Sequence, residues 1–499
     1  MSKRLISLLL LVAVLAFGAC SNASSGKSTL PEDTTSTAEL QSESEGLNSR
    51  EKNDDELGSY NFDGYKFRIA TCNNMTDHYF MEESSGDVVD DAIYTRNRTV
   101  EERFNCKITV VNDTGHRETG IIINTVTANE DAIDLVCWHV VVLGQIVPNG
   151  YFLNWYDIPK VNFEKPWWSD SNINDLTYNG VCITAIGDFI LSAIGKTYCV
   201  FYNKKLGADY GIPDLYKIVN DGSWTIDYLI SLSKDIYVDQ NHNSQVDNDD
   251  LYGLTSDCMS NVCAYLWAFD NPIYRKNNEG KLEFSLNLDK TASIVQKILE
   301  GFTTYEGIRM DRNYTNVDGA FRHMYGRDMF ARGLSVFANA NIGDALGYFR
   351  DLEDDYAILP YPKWDENQSK YYTMVDGSHQ VMAVPITVSN TELIGVITEA
   401  LCAESYKKVV PAYYDVALKF KGTRDEESIA MLDMIVNSRV FDFGYVYDAW
   451  SGAAFIIQNL VDQNNPNVAS YWAKYEKSIM KHYESVIEYF ENFYSNQNA

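Results

Sequence analysis

Between residues 65 and 137 the hydrophobic period switches repeatedly between two and 3.6, and this restricts the fold more than any other feature of the sequence. Tyr65-Lys-Phe-Arg-Ile-Ala70 alternates as a half-buried strand does. Gly86 to Phe104 carries Val89, Ile93, Val100 and Phe104 on one stripe, the spacing of an amphipathic helix. Cys106-Lys-Ile-Thr-Val-Val111 is a second strand, a helical stretch follows, and Ile133-Asp-Leu-Val-Cys137 is a third strand. Strand, helix, strand, helix, strand predicts βαβ units on a mostly parallel sheet, because parallel neighbours need a crossover of helical length.

A second series follows. Thr197 to Asn203, Leu334 to Ala338, Tyr356 to Leu359 and Val381 to Pro385 read as strands. A helix starts at Trp224, another runs from Thr391 to Tyr406 and ends before Pro411, and the last carries Trp472, Tyr475, Ile479, Tyr483, Val486 and Phe490 on one stripe. No internal repeat at a fixed period is present. A chain of 499 residues exceeds the usual single domain, so two α/β lobes are the economical reading.

The N-terminus reads as an address. Lys3 and Arg4 precede an apolar run from Leu5 to Phe17, closed by Gly18-Ala19-Cys20. A basic start, a short apolar core and small residues at the cut describe an export signal. The run falls short of the roughly 20 apolar residues that span a bilayer. Small residues immediately before Cys20 resemble the lipobox of bacterial lipoproteins, in which that cysteine is lipidated; Phe17 stands where the motif prefers Leu. An ordinary secretory cleavage is the alternative. Residues 21–57 are Ser, Thr, Asn, Glu and Asp with little that is apolar, the composition of a disordered acidic tether. The folded part is thus expected outside the cell, held by lipid at the outer face of the cytoplasmic membrane. Of the other eight cysteines, Cys137, Cys182 and Cys199 sit in apolar runs and read as small buried hydrophobes, whereas Cys258 and Cys263 stand close enough in sequence to bridge.

Charge excludes one class of partner. With 41 Lys and Arg against 70 Asp and Glu, the net charge is -29, and nucleic acid binding needs a basic face. Apolar residues make up 45% of the chain, enough for a sizeable core.

Several phrases together resemble the family 1 extracellular solute-binding proteins of bacterial ABC transporters, in a branch common in Gram-positive gut bacteria. They are Asp87-Val-Val-Asp-Asp-Ala-Ile-Tyr-Thr-Arg-Asn-Arg98, Lys165-Pro-Trp-Trp168, Asp250-Leu-Tyr-Gly253, Leu359-Pro-Tyr-Pro-Lys363, Tyr413-Tyr-Asp-Val-Ala-Leu-Lys419, and Arg424-Asp-Glu-Glu-Ser428 with Met431-Leu-Asp433. They run in family order over residues 60 to 450. The resemblance implies a two-lobed periplasmic-binding-protein-like fold of type II, a hinge between lobes and C-terminal helices. The first lobe would hold 58–187 and 363–410, the second 188–362 and 411–499. It also implies a monomer that closes on a small solute, a sugar or oligosaccharide, and hands it to a membrane permease.

Sugars offer apolar C–H faces and a rim of hydroxyls, so their sites pair aromatic platforms with Asp, Asn, Gln or Arg. Open α/β sheets place ligands at strand C-terminal ends. The expected contacts are Asn73 and Asn74 after the first strand, Trp138 after the third, Asp188 near the crossover, Trp267 after the Tyr-Gly phrase, and Trp450 near the hinge. Core packing is the competing reading for each tryptophan. For Asp188 it is a bond to a hinge residue. Trp167 and Trp168 read as structural.

One loop has the shape of a calcium site. Asp239, Asn241, Asn243, Asp247 and Asp250 take positions 1, 3, 5, 9 and 12 of an EF-hand loop, and Gln245 supplies the position 7 carbonyl. Ser244 replaces the glycine of position 6, Asp250 replaces the longer Glu, and Asp249 is an alternative last ligand. The role would be structural. A solvated acidic loop held by Asx turns is the other reading.

Enzymatic motifs are lacking. No two of the seven His fall within four residues, and Gly-x-Ser-x-Gly does not occur. Gly195-Lys-Thr197 resembles the end of a phosphate loop, but Ile190 stands where the leading glycine belongs. A glycoside hydrolase needs only two carboxylates, which an acidic chain always supplies, so a secreted hydrolase stays as the rival reading beside a surface sensor or adhesin. No catalytic residue and no organic cofactor is assigned.

Overall fold

The computed structural model describes residues 50–257, 259–311, 325–419, 426–448 and 451–497. Cys20, Cys258 and most of the acidic tether lie outside them. In chain order the strands are β1 (Tyr65–Cys72), β2 (Cys106–Thr114), β3 (Leu135–His139), β4 (Tyr198–Asn203), β5 (Tyr237–Val238), β6 (Leu251–Asp257), β7 (Tyr274–Lys276), β8 (Leu282–Phe284), β9 (Ile308–Asp311), β10 (Ser335–Asn341), β11 (Tyr356–Leu359), β12 (Thr373–Met374), β13 (Gln380–Ala383) and β14 (Arg439–Val440). The first sheet has the order β13-β3-β1-β2, with β1 parallel to β2 and β3 and with β13 antiparallel at the edge. The second has the order β11-β4-β10-β6-β5, with β9 also paired to β6. This is a two-lobed α/β fold of the periplasmic-binding-protein kind.

Local chemistry explains the elements of the first lobe. Asp87 starts the helix Val88–Phe104 by accepting the N–H groups of Val89 and Asp90, and Asn105 ends it with φ 49°. Val89, Ile93, Val100 and Phe104 are buried, as their stripe predicts. Arg96 and Asn97 are buried beside them. Each donates to the Tyr79 carbonyl, at 2.9 and 2.7 Å, which supplies the partners buried polar groups require.

The tryptophan pair is structural. Trp167 and Trp168 donate their indole N–H groups to the two carboxylate oxygens of Glu399, at 2.8 and 2.9 Å, and Asn162 N–H adds a third bond. This fixes the helix Thr391–Glu404 to the segment that carries Trp167 and Trp168. That helix does not stop before Pro411. It continues through a wider turn, Ser405–Val409, into a helix at Val410–Lys419. Pro411 lacks an N–H, and the wider turn just before it resets the hydrogen-bond ladder so that the chain stays helical past it.

Two differences from the expected boundaries concern the ends. Among the described residues, the stretch from Arg50 to Leu57, ahead of the expected start at 58, packs with the body. Asp55 and Leu57 are buried, Arg103 holds the Asp55 carboxylate at 2.5 and 2.9 Å, and Arg50 donates to the Tyr406 carbonyl while lying over that ring. Apolar Leu57 and paired Asp55 escape a composition rule because two side chains suffice to dock a short strap. The C-terminal helix Val468–Glu491, expected in the second lobe, touches both. Glu491 accepts from Tyr178, in the span expected for the first lobe, and Tyr483 donates to the Leu282 carbonyl of β8, in the span expected for the second.

Cys137, Cys182 and Cys199 are buried thiols, as their apolar runs predict. No helix among the described residues is long and apolar enough to cross a membrane.

Burial lifts the carboxyls of Glu399 and Asp448 to about 7 and that of Asp257 to about 6. A carboxyl raised in the folded state contributes stability that is complete below its ordinary pKa and is lost as pH rises through the raised one. Buried His78 and His379, lowered to about 4, and His139, lowered to about 3, oppose this once pH falls to the ordinary histidine pKa of about 6.5. The melting temperature is therefore expected to rise as pH falls from about 8 to about 7. Glu399→Gln should flatten that rise, which thermal denaturation over a pH series measures.

Candidate functional site

The chain passes between the sheets in segments that run side by side. Thr197 at the end of one crossing bridges Val375 in the return crossing, and Asp376 N–H donates to the Lys196 carbonyl at 2.9 Å. Above this floor lies a cavity of about 500 Å³. His116 and His139 reach it from the C-terminal ends of β2 and β3, and Met259 and Ser260 from the end of β6. Tyr445, Phe455, Tyr471 and Tyr475 add aromatic side chains from the C-terminal helices, and Gln458, Asn459, Arg117 and Ser378 add polar ones. Strand ends of both sheets thus meet at one gap, where open α/β sheets place ligands.

The floor is polar and closely packed. Asp376 accepts from Tyr198 Oη at 2.5 Å and from Ser378 N–H at 2.8 Å. Burial alone would raise its pKa. These bonds and the Lys196 charge outweigh burial and hold the carboxyl below the usual range. Gly377 N–H donates to Tyr445 Oη at 2.9 Å, and a Cβ on Gly377 would stand 2.4 Å from that oxygen. Gly144 is as constrained: its Cβ would lie 2.0 Å from the Val446 carbonyl, where the helices Val140–Ile146 and Phe443–Tyr447 touch.

A larger groove, about 840 Å³, lies elsewhere. Phe443 faces it while Tyr445, two residues on, faces the smaller cavity. Its walls are Asp175, Trp267, Tyr274, Lys276 and Arg439 among others, none of them from the C-terminal ends of β1, β2, β3 or β6. Size favours this groove, but position favours the smaller cavity, since among the described residues both sheets present strand ends there.

Each expected contact residue has a definite place. Asn73, at φ 64°, accepts from the backbone N–H of His116 at 3.2 Å and lies 3.0 Å from its ring Nδ1. Asn74, at φ 57°, donates its N–H to Asp113. Trp138 is fully buried and donates its indole N–H to the His116 carbonyl at 2.8 Å. Asn73 and Trp138 hold the loop after β2, Asn74 is tied to β2 itself, and all three stand behind the cavity wall. Trp267 is buried on the larger groove and donates to Asp442 Oδ2 at 2.8 Å. Asp188 lines neither cavity. Burial raises its pKa to about 7, against the pull of Arg50 and Arg439 at the hinge. Trp450 lies outside the described residues.

Strand-end reasoning stops one residue short of His139 and does not reach His116, which follows β2. Trp138 points into the core, so its successor on an alternating strand points out. The two imidazoles stack at 4.7 Å with 21° between planes. Burial lowers the pKa of both, and each ring sits beside a cationic or titratable neighbour, Arg117 for His116 and His116 for His139.

The EF-hand-like loop takes part of the expected shape. Asp239 accepts from Asn243 and Ser244 N–H, Asn241 accepts from Asn243 N–H, and Ser244 adopts φ 60° where that loop has glycine. Asp250 is fully buried and already accepts from Tyr237, Gln240 and Asp247, and Asp249 pairs with Arg332. Neither is a natural last ligand. Among the described residues no three His, Cys, Asp or Glu are grouped to hold a metal.

Neither a protein-family model nor a curated protein sequence matches the chain. Solved structures do. An ABC transporter solute-binding protein from Thermotoga lettingae bound with α-D-tagatose has a TM-score of 0.52 at 12% identity, covering 86% of this chain and 100% of that one. The fold is that of the two-lobed solute-binding proteins. A cyclo/maltodextrin-binding protein complexed with maltotetraose gives 0.54 at 14% identity, covering 84% and 98%. An ABC substrate-binding protein from Listeria monocytogenes in complex with cycloalternan gives 0.53 at 11%, covering 84% and 99%. These neighbours are binding proteins rather than enzymes.

Because the Trp267 indole N–H serves Asp442, Trp267→Phe should leave a buried carboxylate short of a donor and cost about 1–3 kcal/mol. Urea denaturation is expected to show that loss, while affinity at the smaller cavity stays unchanged.

Proposed function

We propose that this protein is an extracellular receptor that captures a sugar or oligosaccharide in the cavity of about 500 Å³ and delivers it to an ABC permease. The observation that carries this reading is the convergence of strand ends from both sheets on one gap floored by paired crossings. Hinge bending there brings Tyr471, Tyr475 and Phe455 toward His116 and His139, and a solute touching both sides favours the closed state. Tyrosine and phenylalanine faces suit sugar C–H surfaces, and Asp376, Gln458 and Asn459 suit hydroxyls. The neighbours bound with tagatose, maltotetraose and cycloalternan support the carbohydrate class.

The remaining assignments belong to the same proposal. Lipidation at Cys20 holds the receptor to the outer face of the membrane, beside its permease. A Ca²⁺ ion in this loop would take oxygen donors from Asp239, Asn241, Asn243, Gln245 and Asp247, with the last position left to water because Asp250 and Asp249 are engaged elsewhere. Asn241 and Asn243 donate their amide nitrogens to Asp247, so turning those amides over presents Oδ1 atoms to a cation instead. The ion would brace the loop ahead of β6 and take no part in capture.

A thermal-shift screen over mono- and oligosaccharides tests the receptor. A ligand at 100 times its Kd adds roughly 2.7 kcal/mol of stability, so one glycan should raise the melting temperature by several degrees. No shift with any glycan, or release of reducing sugar, would reject the reading. For the loop, EDTA should lower the melting temperature and Ca²⁺ restore it; indifference to both would mean the loop holds no ion.

A further inference from the structure

Three residues hold the loop that presents His116, and one of them, Asn73, fixes which of its ring nitrogens carries the proton. The backbone N–H of His116 and its ring Nδ1 both lie against Asn73 Oδ1, at 3.2 and 3.0 Å. A backbone N–H can only donate, so the Asn73 amide must present its oxygen here, because its nitrogen is another donor. An amide oxygen can only accept, so Nδ1 must bear the ring proton. Nε2 of the neutral imidazole is left as a bare acceptor. It has no hydrogen-bond partner among the described residues, and the ring lines the cavity. Trp138 ties down the carbonyl of the same residue at 2.8 Å, and His139 stacks on the ring.

We infer that His116, held as the Nδ1–H tautomer by Asn73, accepts a hydrogen bond from a solute hydroxyl through Nε2 and is a specificity-determining residue of the cleft. This rests on the carbohydrate reading and deepens it. A solute must bring an O–H to this point, so a deoxy or O-methylated analogue at that position is rejected. Protonation would turn Nε2 into a donor and place a cation against His139. The charged and titratable groups around the stacked pair are Arg117 on the loop itself, His139 on β3, and Asp376 and His379 from the floor. Burial first and Arg117 second keep the His116 pKa below its ordinary value, so the acceptor persists at neutral pH and is lost as pH falls through that lowered value.

Two measurements test this. Imidazole ¹⁵N shifts of the full-length unliganded protein should show His116 protonated at Nδ1 at neutral pH. Titration with the glycan found by thermal shift should show His116→Ala weakened about tenfold or more, with part recovered in His116→Gln, whose amide can again accept. Asn73→Asp puts a carboxylate on the ring and should move the acid limb of binding to higher pH, which a purely structural role would not do. An Nε2–H tautomer, an unmoved acid limb, or wild-type affinity in His116→Ala overturns the inference while glycan binding itself stands. A wild-type protein that binds no glycan overturns the carbohydrate reading, and the hydroxyl contact with it.

Discussion

Everything at the cleft depends on two crossings that run as neighbours. The Thr197 to Val375 bridge and the Asp376 N–H to Lys196 bond make a short stretch of ladder between lobes that otherwise have separate sheets. A ladder this narrow resists sliding and permits bending. Asp376, Gly377 and Ser378 follow directly from it, which is why a charged and hydrogen-bonded floor sits at the pivot. The aromatic C-terminal helices close over that floor because Gly144 and Gly377 leave room for the Val446 backbone and the Tyr445 ring.

Periodicity carried the first sheet and most of the second. β1, β2 and β3 follow their alternation within a few residues, and the helix Val88–Phe104 buries its predicted stripe. The structural role of Trp167 and Trp168 was legible as well, although their partner Glu399 is more than 230 residues away and no local pattern points to it. Pro411 misled the boundary, because the penalty of a proline depends on where in a turn it falls. The strap from Arg50 to Leu57 escaped because its docking rests on two buried side chains within a polar stretch.

The site was half legible. Strand-end logic led toward the smaller cavity, beside which Asn73, Asn74 and Trp138 stand, yet each turns toward the protein. A large indole is bought by the core more readily than by a gap, since its N–H finds a carbonyl or carboxylate there. Trp138 and Trp267 both do so. Whether a side chain faces in or out turns on a single step of register, and that step separates Trp138 from His139.

The docked strap also decides where this protein can be shortened. A version starting at Gly58 would lose Asp55, leaving the Arg103 guanidinium without its carboxylate and uncovering the apolar surface under Leu57. Arg50 would be lost from Tyr406 at the turn between the two long helices. Recombinant versions are therefore best begun at or before Arg50, with any purification handle placed upstream of it.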